Sequence, residues 1–153
     1  MKFLRYLLAF TLVGFMSVHA SAQEHGTKDE AKALAEQAVA HIKKVGAEKA
    51  FQDFTTDKAA WNKKDLYVFA FNMTGVTMAH GANEKLVGKN LAALKDQNGK
   101  LFTQEMMDVA KTKGSGWVEY DWPHPQTKKV EGKASYALKI PGYDGFVGVG
   151  VYR

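Results

Sequence analysis

The sequence predicts an α+β fold in which one five-stranded antiparallel sheet carries helices. Three observations predict it: a long apolar stripe at helical spacing near the start, a strand with two apolar faces in the middle, and three turn-linked strands at the end.

The chain opens with Met1-Lys2-Phe3-Leu4-Arg5, then a largely apolar run from Tyr6 to Val18, then Ala20-Ser21-Ala22. A charged start, a short apolar centre and a small-x-small site are the three parts of a secretory signal peptide, and the run is too short to span a bilayer. Residues 1–22 are therefore expected to be removed after Ala22, leaving residues 23–153 as one domain in the periplasm or outside the cell. A domain of that size buries enough surface for a single core.

Thr27-Lys28-Asp29-Glu30 has the form of a capping box, so the first helix starts there. Leu34, Ala38, Ile42 and Val45 share one face of it, with lysines and glutamates opposite, and Gly46 supplies the C-cap. Ala47 to Phe54 gives a short second helix, and Thr55 to Lys64 a loop with one helical turn around Ala59 to Trp61. Asp65 to Phe71 and Val76 to His80 form a hairpin about Asn72-Met73-Thr74-Gly75. Alternation puts Tyr67, Phe69 and Phe71 on one face and Leu66, Val68 and Ala70 on the other, so the sheet is expected to be covered on both sides.

Gly81 to Asn98 reads as loops and short helical turns, and Leu101 to Lys113 as a helix with Phe102, Met106, Val109 and Ala110 on a common face. Gly116 to Trp122 is a strand broken by Pro123 and Pro125, Lys133 to Ile140 returns beside it, and Gly145 to Tyr152 is the last strand. The outline is PAS-like: a long N-terminal helix, a five-stranded antiparallel sheet and a helical crossing segment.

Composition narrows the chemistry. The absence of cysteine excludes disulfide, thiol and haem-attachment chemistry. Without Lys2 and Arg5, 19 basic residues face 16 acidic ones, and the sole remaining arginine is Arg153. Scattered lysines with one arginine argue against nucleic acid. No Gly-x-Ser-x-Gly elbow or phosphate loop occurs, so no enzyme activity and no cofactor are expected. His25, His41, His80 and His124 lie far apart in sequence without paired acidic spacing, so no metal site is expected either.

Gly46-Ala47-Glu48-Lys49-Ala50-Phe51, Asp65-Leu66-Tyr67-Val68, Ala79-His80, Leu86-Val87-Gly88-Lys89-Asn90 and Asp96-Gln97-Asn98-Gly99-Lys100 together resemble single Cache domains. Gly116 to Pro123, Lys133-Ala134-Ser135-Tyr136 and Gly148 to Tyr152 are similar to the later strands of the same family, so the resemblance covers nearly all of residues 23–153. It implies an extracytoplasmic sensor of small organic acids, amines or other metabolites.

PAS-like domains hold ligand between the sheet and the crossing segment, which points to Phe69, His80, Trp117, Tyr120, Trp122, Lys133 and Tyr136. Tyr120 and Trp122 share a strand face and either wall a ligand or pack the core. Pairing across the turn sets Asp121 near Lys133 and Val118 near Tyr136, within a residue or two, so Lys133 and Tyr136 face opposite ways. Lys133 is then either the charge that meets an anion or half of a surface pair with Asp121. His80 is either a ligand contact or an ordinary histidine.

The expected function is a periplasmic small-molecule-binding sensor with an aromatic chamber large enough for a metabolite. Because the chain ends at Arg153, directly after the last strand, it is expected to act through a separate membrane receptor or histidine kinase. The alternative is an accessory protein that has lost its ligand and uses its surface, the first helix included, to bind a partner or form a homodimer.

Overall fold

The computed structural model of the chain describes residues 24–153. The signal-peptide reading falls on residues 1–22, outside the described residues. Helix α1 runs Lys28–Val45, and its capping box forms as the sequence predicts: the Thr27 side chain accepts from Glu30 N, and the Glu30 carboxylate accepts from Thr27 N. Such a cap contributes about 1 kcal/mol. Gly46, at φ 89°, ends α1 and begins α2, Ala47–Thr56. Asp57 then caps a single further turn, α3, Lys58–Trp61.

Strands β1, Val68–Asn72, and β2, Thr77–His80, form the predicted hairpin, with a bulge between Ala70 and Phe71. The chain crosses through a 3-10 turn at Glu84–Leu86 and helix α4, Phe102–Lys113, to reach the far edge of the sheet. Strands β3, Ser115–Pro123, β4, Val130–Lys139, and β5, Gly145–Tyr152, complete it. The order is β2-β1-β5-β4-β3, antiparallel throughout.

The β3–β4 hairpin is longer than expected. Pro123 pairs with Val130 at its end instead of breaking the strand before it. This is physically allowed because β3 is an edge strand and Pro123 its last residue, where no ladder donor is required. The turn is closed by His124 N to Lys129 O and Lys128 N to His124 O, with Lys128 at φ 63°.

Both faces of the sheet are covered. Helices α1 and α2 pack Leu34, Ala38, Ile42, Phe51 and Phe54 against Leu66, Val68, Ala70, Val147 and Val149. On the other face α4 packs Phe102, Met106 and Ala110 against Tyr67, Phe69, Phe71, Val118 and Tyr120.

Candidate functional site

Register decides which side chains meet. Directly opposed residues of antiparallel strands share a face, and Tyr120 opposes Lys133, which opposes Tyr152. These three form one row on the α4 face. Trp117 opposes Tyr136, which opposes Val149, itself opposite Val68, and that row lies on the α1 face. The sequence pairing of Asp121 with Lys133 is thus one residue out, and a one-residue slip exchanges faces. Lys133 is not the surface partner of Asp121. It is 1% exposed, whereas Asp121 bonds Gln97 and Asn98.

Phe69, His80, Tyr120, Trp122 and Lys133 therefore line one cavity, beside Tyr67, Phe71, Leu91, Phe102 and Met106. Trp117 and Tyr136 do not join them. They pack on each other under α1, where the Lys28 ammonium lies 5.1 Å from the Trp117 ring centre. Phe102 and Met106, one helical turn apart, close the cavity from α4, and Phe102 stacks on Tyr120 at 4.5 Å with the rings nearly parallel. Both look like core residues in the sequence, and so they are; only the crossing of α4 over β3 makes them walls.

The expected metabolite-sized chamber is absent. The cavity measures about 10 Å³, room for one water at most, because the side chains of Tyr67, Phe69, Phe71, Phe102, Tyr120 and Trp122 fill the space. Outside it lies a vestibule of about 380 Å³, bounded in part by Asn83, Lys85, Leu86, Pro125 and Lys128. Tyr67, His80 and Trp122 line both spaces and form the septum between them, and Trp122 is its only half-buried member. A larger open groove of about 560 Å³ between α2 and β2, lined by Phe51, Met78, Val87 and Tyr143, is almost wholly apolar and offers little to orient a polar ligand.

At the cavity floor the Lys133 ammonium donates to the Tyr67 hydroxyl at 2.7 Å. It lies 4.2, 5.0 and 5.4 Å from the ring centres of Tyr67, Tyr152 and Phe69. Tyr152 donates to Pro123 O at 3.0 Å, so Tyr67 donates to Tyr152 at 3.3 Å and the chain of donors runs outward from the amine. Burial pulls Lys133 down to about 7, with the more distant charge of Asp65 acting in the opposite sense. Burial also pushes the Tyr67, Tyr120 and Tyr152 phenols up, so they stay protonated as donors.

His80 is pulled down to about 3, by burial first and then by the charges of Lys133 and Lys58. It stays neutral in ordinary conditions. Its Nδ1 accepts from Asn83 N at 3.0 Å, which leaves the ring proton on Nε2.

Glycine makes room for this floor. A Cβ on Gly150 would lie 2.3 Å from both Lys133 Cε and Ser135 Oγ, and one on Gly148 would lie 2.2 Å from the Phe69 ring. The alternating glycines of β5 let the lysine stem and the phenyl ring lie flat on the sheet.

The charge of this arrangement is complementary to an anion, although the cavity as it stands has room for no more than a water. A buried ammonium with a single hydroxyl partner and aromatic faces around it gains a full counter-charge from a carboxylate. Nothing in it pairs a nucleophile with a base.

A family model described as Single Cache domain 2 matches residues 8–153. The methyl-accepting chemotaxis protein McpP of Pseudomonas putida is 31% identical over 88 residues, which is 58% of this chain and 16% of that protein. The chain thus spans under a fifth of that relative. The crystal structure of a methyl-accepting chemotaxis protein from Vibrio parahaemolyticus superposes with a TM-score of 0.70 at 29% identity, covering 82% of this chain and 87% of that one. A Cache chemosensory domain, described for its recognition of a carboxylic acid, superposes with a TM-score of 0.68 at 23% identity over 81% of this chain and 91% of its own, and so shares the fold.

Proposed function

The chain belongs to the single Cache domain family of extracytoplasmic sensor domains, and on that premise we propose that it binds a small monocarboxylate at Lys133 and reports it to a separate membrane receptor or histidine kinase. The observation that carries the reading is the buried Lys133 amine: among the described residues no carboxylate pairs with it, and the Tyr67 hydroxyl is its one hydrogen-bond partner. A solitary buried cation is costly to fold around, and a carboxylate ligand converts that cost into affinity. One cation within aromatic walls suits one carboxylate on a short apolar tail. An amine of the same size would meet like charge. Recognition of a carboxylic acid by a Cache domain of the same fold supports the ligand class.

Entry requires the septum to open. Trp122, half-buried between vestibule and cavity, is the side chain whose displacement joins the two spaces. The lysines of the vestibule, Lys85 and Lys128, supply positive charge along the approach. The candidate ligand contacts are thus Lys133, Tyr67, His80, Tyr120, Phe69 and Trp122. Export, with removal of residues 1–22, belongs to the same proposal.

The small volume of the closed cavity favours a second reading, an accessory module that no longer takes a ligand and binds a partner or a second copy through α1. Calorimetry and thermal shift with straight-chain monocarboxylates from formate to butyrate, and with amines of matching size, separate the two. The sensor reading expects saturable binding of one or more acids, no amine binding, and a loss greater than about tenfold in Lys133→Met. Absence of binding across the acids, together with a complex indifferent to them, would establish the accessory role.

A further inference from the structure

The fold brings together three residues that the sequence keeps far apart. Asp65, 1% exposed, stands just before β1, His25 precedes α1, and His124 lies in the β3–β4 turn. Asp65 Oδ2 lies 2.7 Å from His25 Nδ1 and 3.5 Å from His124 Nε2, and the three ligating atoms all fall within 4.8 Å of one another. We infer that His25, Asp65 and His124 form a binding site for a divalent transition metal, zinc above all. This does not depend on the ligand reading of the cavity.

The donor set is the first reason. Two imidazole nitrogens and one carboxylate oxygen are the ligands zinc takes when a fourth position is left to water. The spacing is the second, since ligands of a tetrahedral zinc at about 2.0–2.1 Å stand roughly 3.3 Å apart. The exposed His25 side chain is the member free to rotate toward that spacing.

Pre-organisation is the third reason. Asp65 Oδ1 accepts from Gly26 N at 2.7 Å, which fixes the carboxylate as outer partners do in metal sites. His124 is fully buried and packs on Tyr152 with ring centres 4.5 Å apart. The His25 side chain, by contrast, is 52% exposed, which gives the metal a way in and its fourth position access to water. The other histidine–aspartate pair, His41 with Asp53, differs on the decisive point: the Lys49 ammonium holds the second oxygen of Asp53, so a cation already sits there.

Protons constrain how the metal loads. His124 Nδ1 accepts from the backbone N–H groups of Gln126 and Thr127 at 3.2 and 3.4 Å, so the ring proton stands on Nε2, toward Asp65. Coordination through Nε2 moves that proton to Nδ1 and gives up both of those long bonds. The turn after His124 must therefore shift. His25 faces Asp65 through Nδ1, so its coordination likewise needs Nδ1 free of a proton.

The test is zinc calorimetry on the chelator-stripped, tag-free chain, with cobalt absorption as a second readout. Expected are one site per chain, tetrahedral cobalt bands, and a loss of at least about tenfold in both His25→Ala and His124→Gln, with His41→Ala unchanged. His25→Ala alters an exposed side chain, so the result does not hinge on folding of the His124 variant. In nitrogen-15 spectra, zinc should move the His124 proton to Nδ1 and shift the Gln126 and Thr127 amides. Absence of a stoichiometric site overturns the inference. So does a site lost in His25→Ala but intact in His124→Gln, which would belong to the chain's start alone.

Discussion

Lys133 is where stability and recognition pull in opposite directions. Its folded-state value of about 7 lies below the ordinary 10.5, so between those values the unfolded chain holds more protons than the folded one. Stability then rises with pH across that window and the full cost of the buried charge is felt below pH 7. His80 acts in the same sense lower down: buried neutral with a value of about 3, it loses its stabilising contribution as pH falls from 6.5 toward 3. Chemical denaturation of the ligand-free chain should therefore show stability climbing from pH 4 to pH 9, with the upper part of the climb missing in Lys133→Met. That variant, filling the space of the lysine stem without the charge, should be at least as stable as the parent at pH 7. A flat profile above pH 7 in the parent would place Lys133 in contact with water. At this scale the sequence disclosed the residue but not its setting. Lys133 is recognisable as the best cation for an anion, yet nothing local says that it is buried, because one step of strand register separates the α4 face from the surface pair with Asp121.

Elements explain which parts of the site could be read in advance. Around β1 aromatic Tyr67, Phe69 and Phe71 alternate with aliphatic Leu66, Val68 and Ala70, so Phe69 declares its face; Tyr120 and Trp122 do so by their spacing of two. Trp117 and Tyr136 are aromatic residues on the same two strands, and only the register row Trp117, Tyr136, Val149, Val68 sends them under α1. Phe102 and Met106 sit on an ordinary apolar stripe, and Leu91 comes from an irregular segment with no period. Their part in the site arises from how α4 and the crossing segment lie over the sheet. The glycines of β5 carry the one overlooked signal, since Gly148 and Gly150, two apart among Val147, Val149 and Val151, mark backbone over which long side chains lie. Gly150→Ala should destabilise the fold by about 1–3 kcal/mol, as overpacking does, and should weaken carboxylate binding by displacing the Lys133 stem. Denaturation and calorimetry on the one variant measure both effects. Unchanged binding would detach Lys133 from the ligand.

Over the whole molecule the architecture was largely legible, because a capped amphipathic helix, a two-faced hairpin and a terminal meander leave few ways to build one sheet covered on both sides. The size of the chamber was not, since periodicity reports which residues turn inward but not whether their volumes leave a gap. The structure has a closed cavity, a charged vestibule and a septum of Tyr67, His80 and Trp122 between them. Ligand binding on this account is an opening followed by charge pairing. The pairing leaves a trace that no surface interaction imitates. A carboxylate reaching Lys133 must raise its affinity for a proton, so above pH 7 the complex takes up a proton that the free chain lacks. Calorimetry of the tightest-binding monocarboxylate at pH 8, repeated in buffers of different ionisation enthalpy, measures this number directly. An uptake approaching one proton per ligand, abolished in Lys133→Met, is the predicted result; binding of an acid with no proton uptake would contradict the assignment of Lys133 as its anchor.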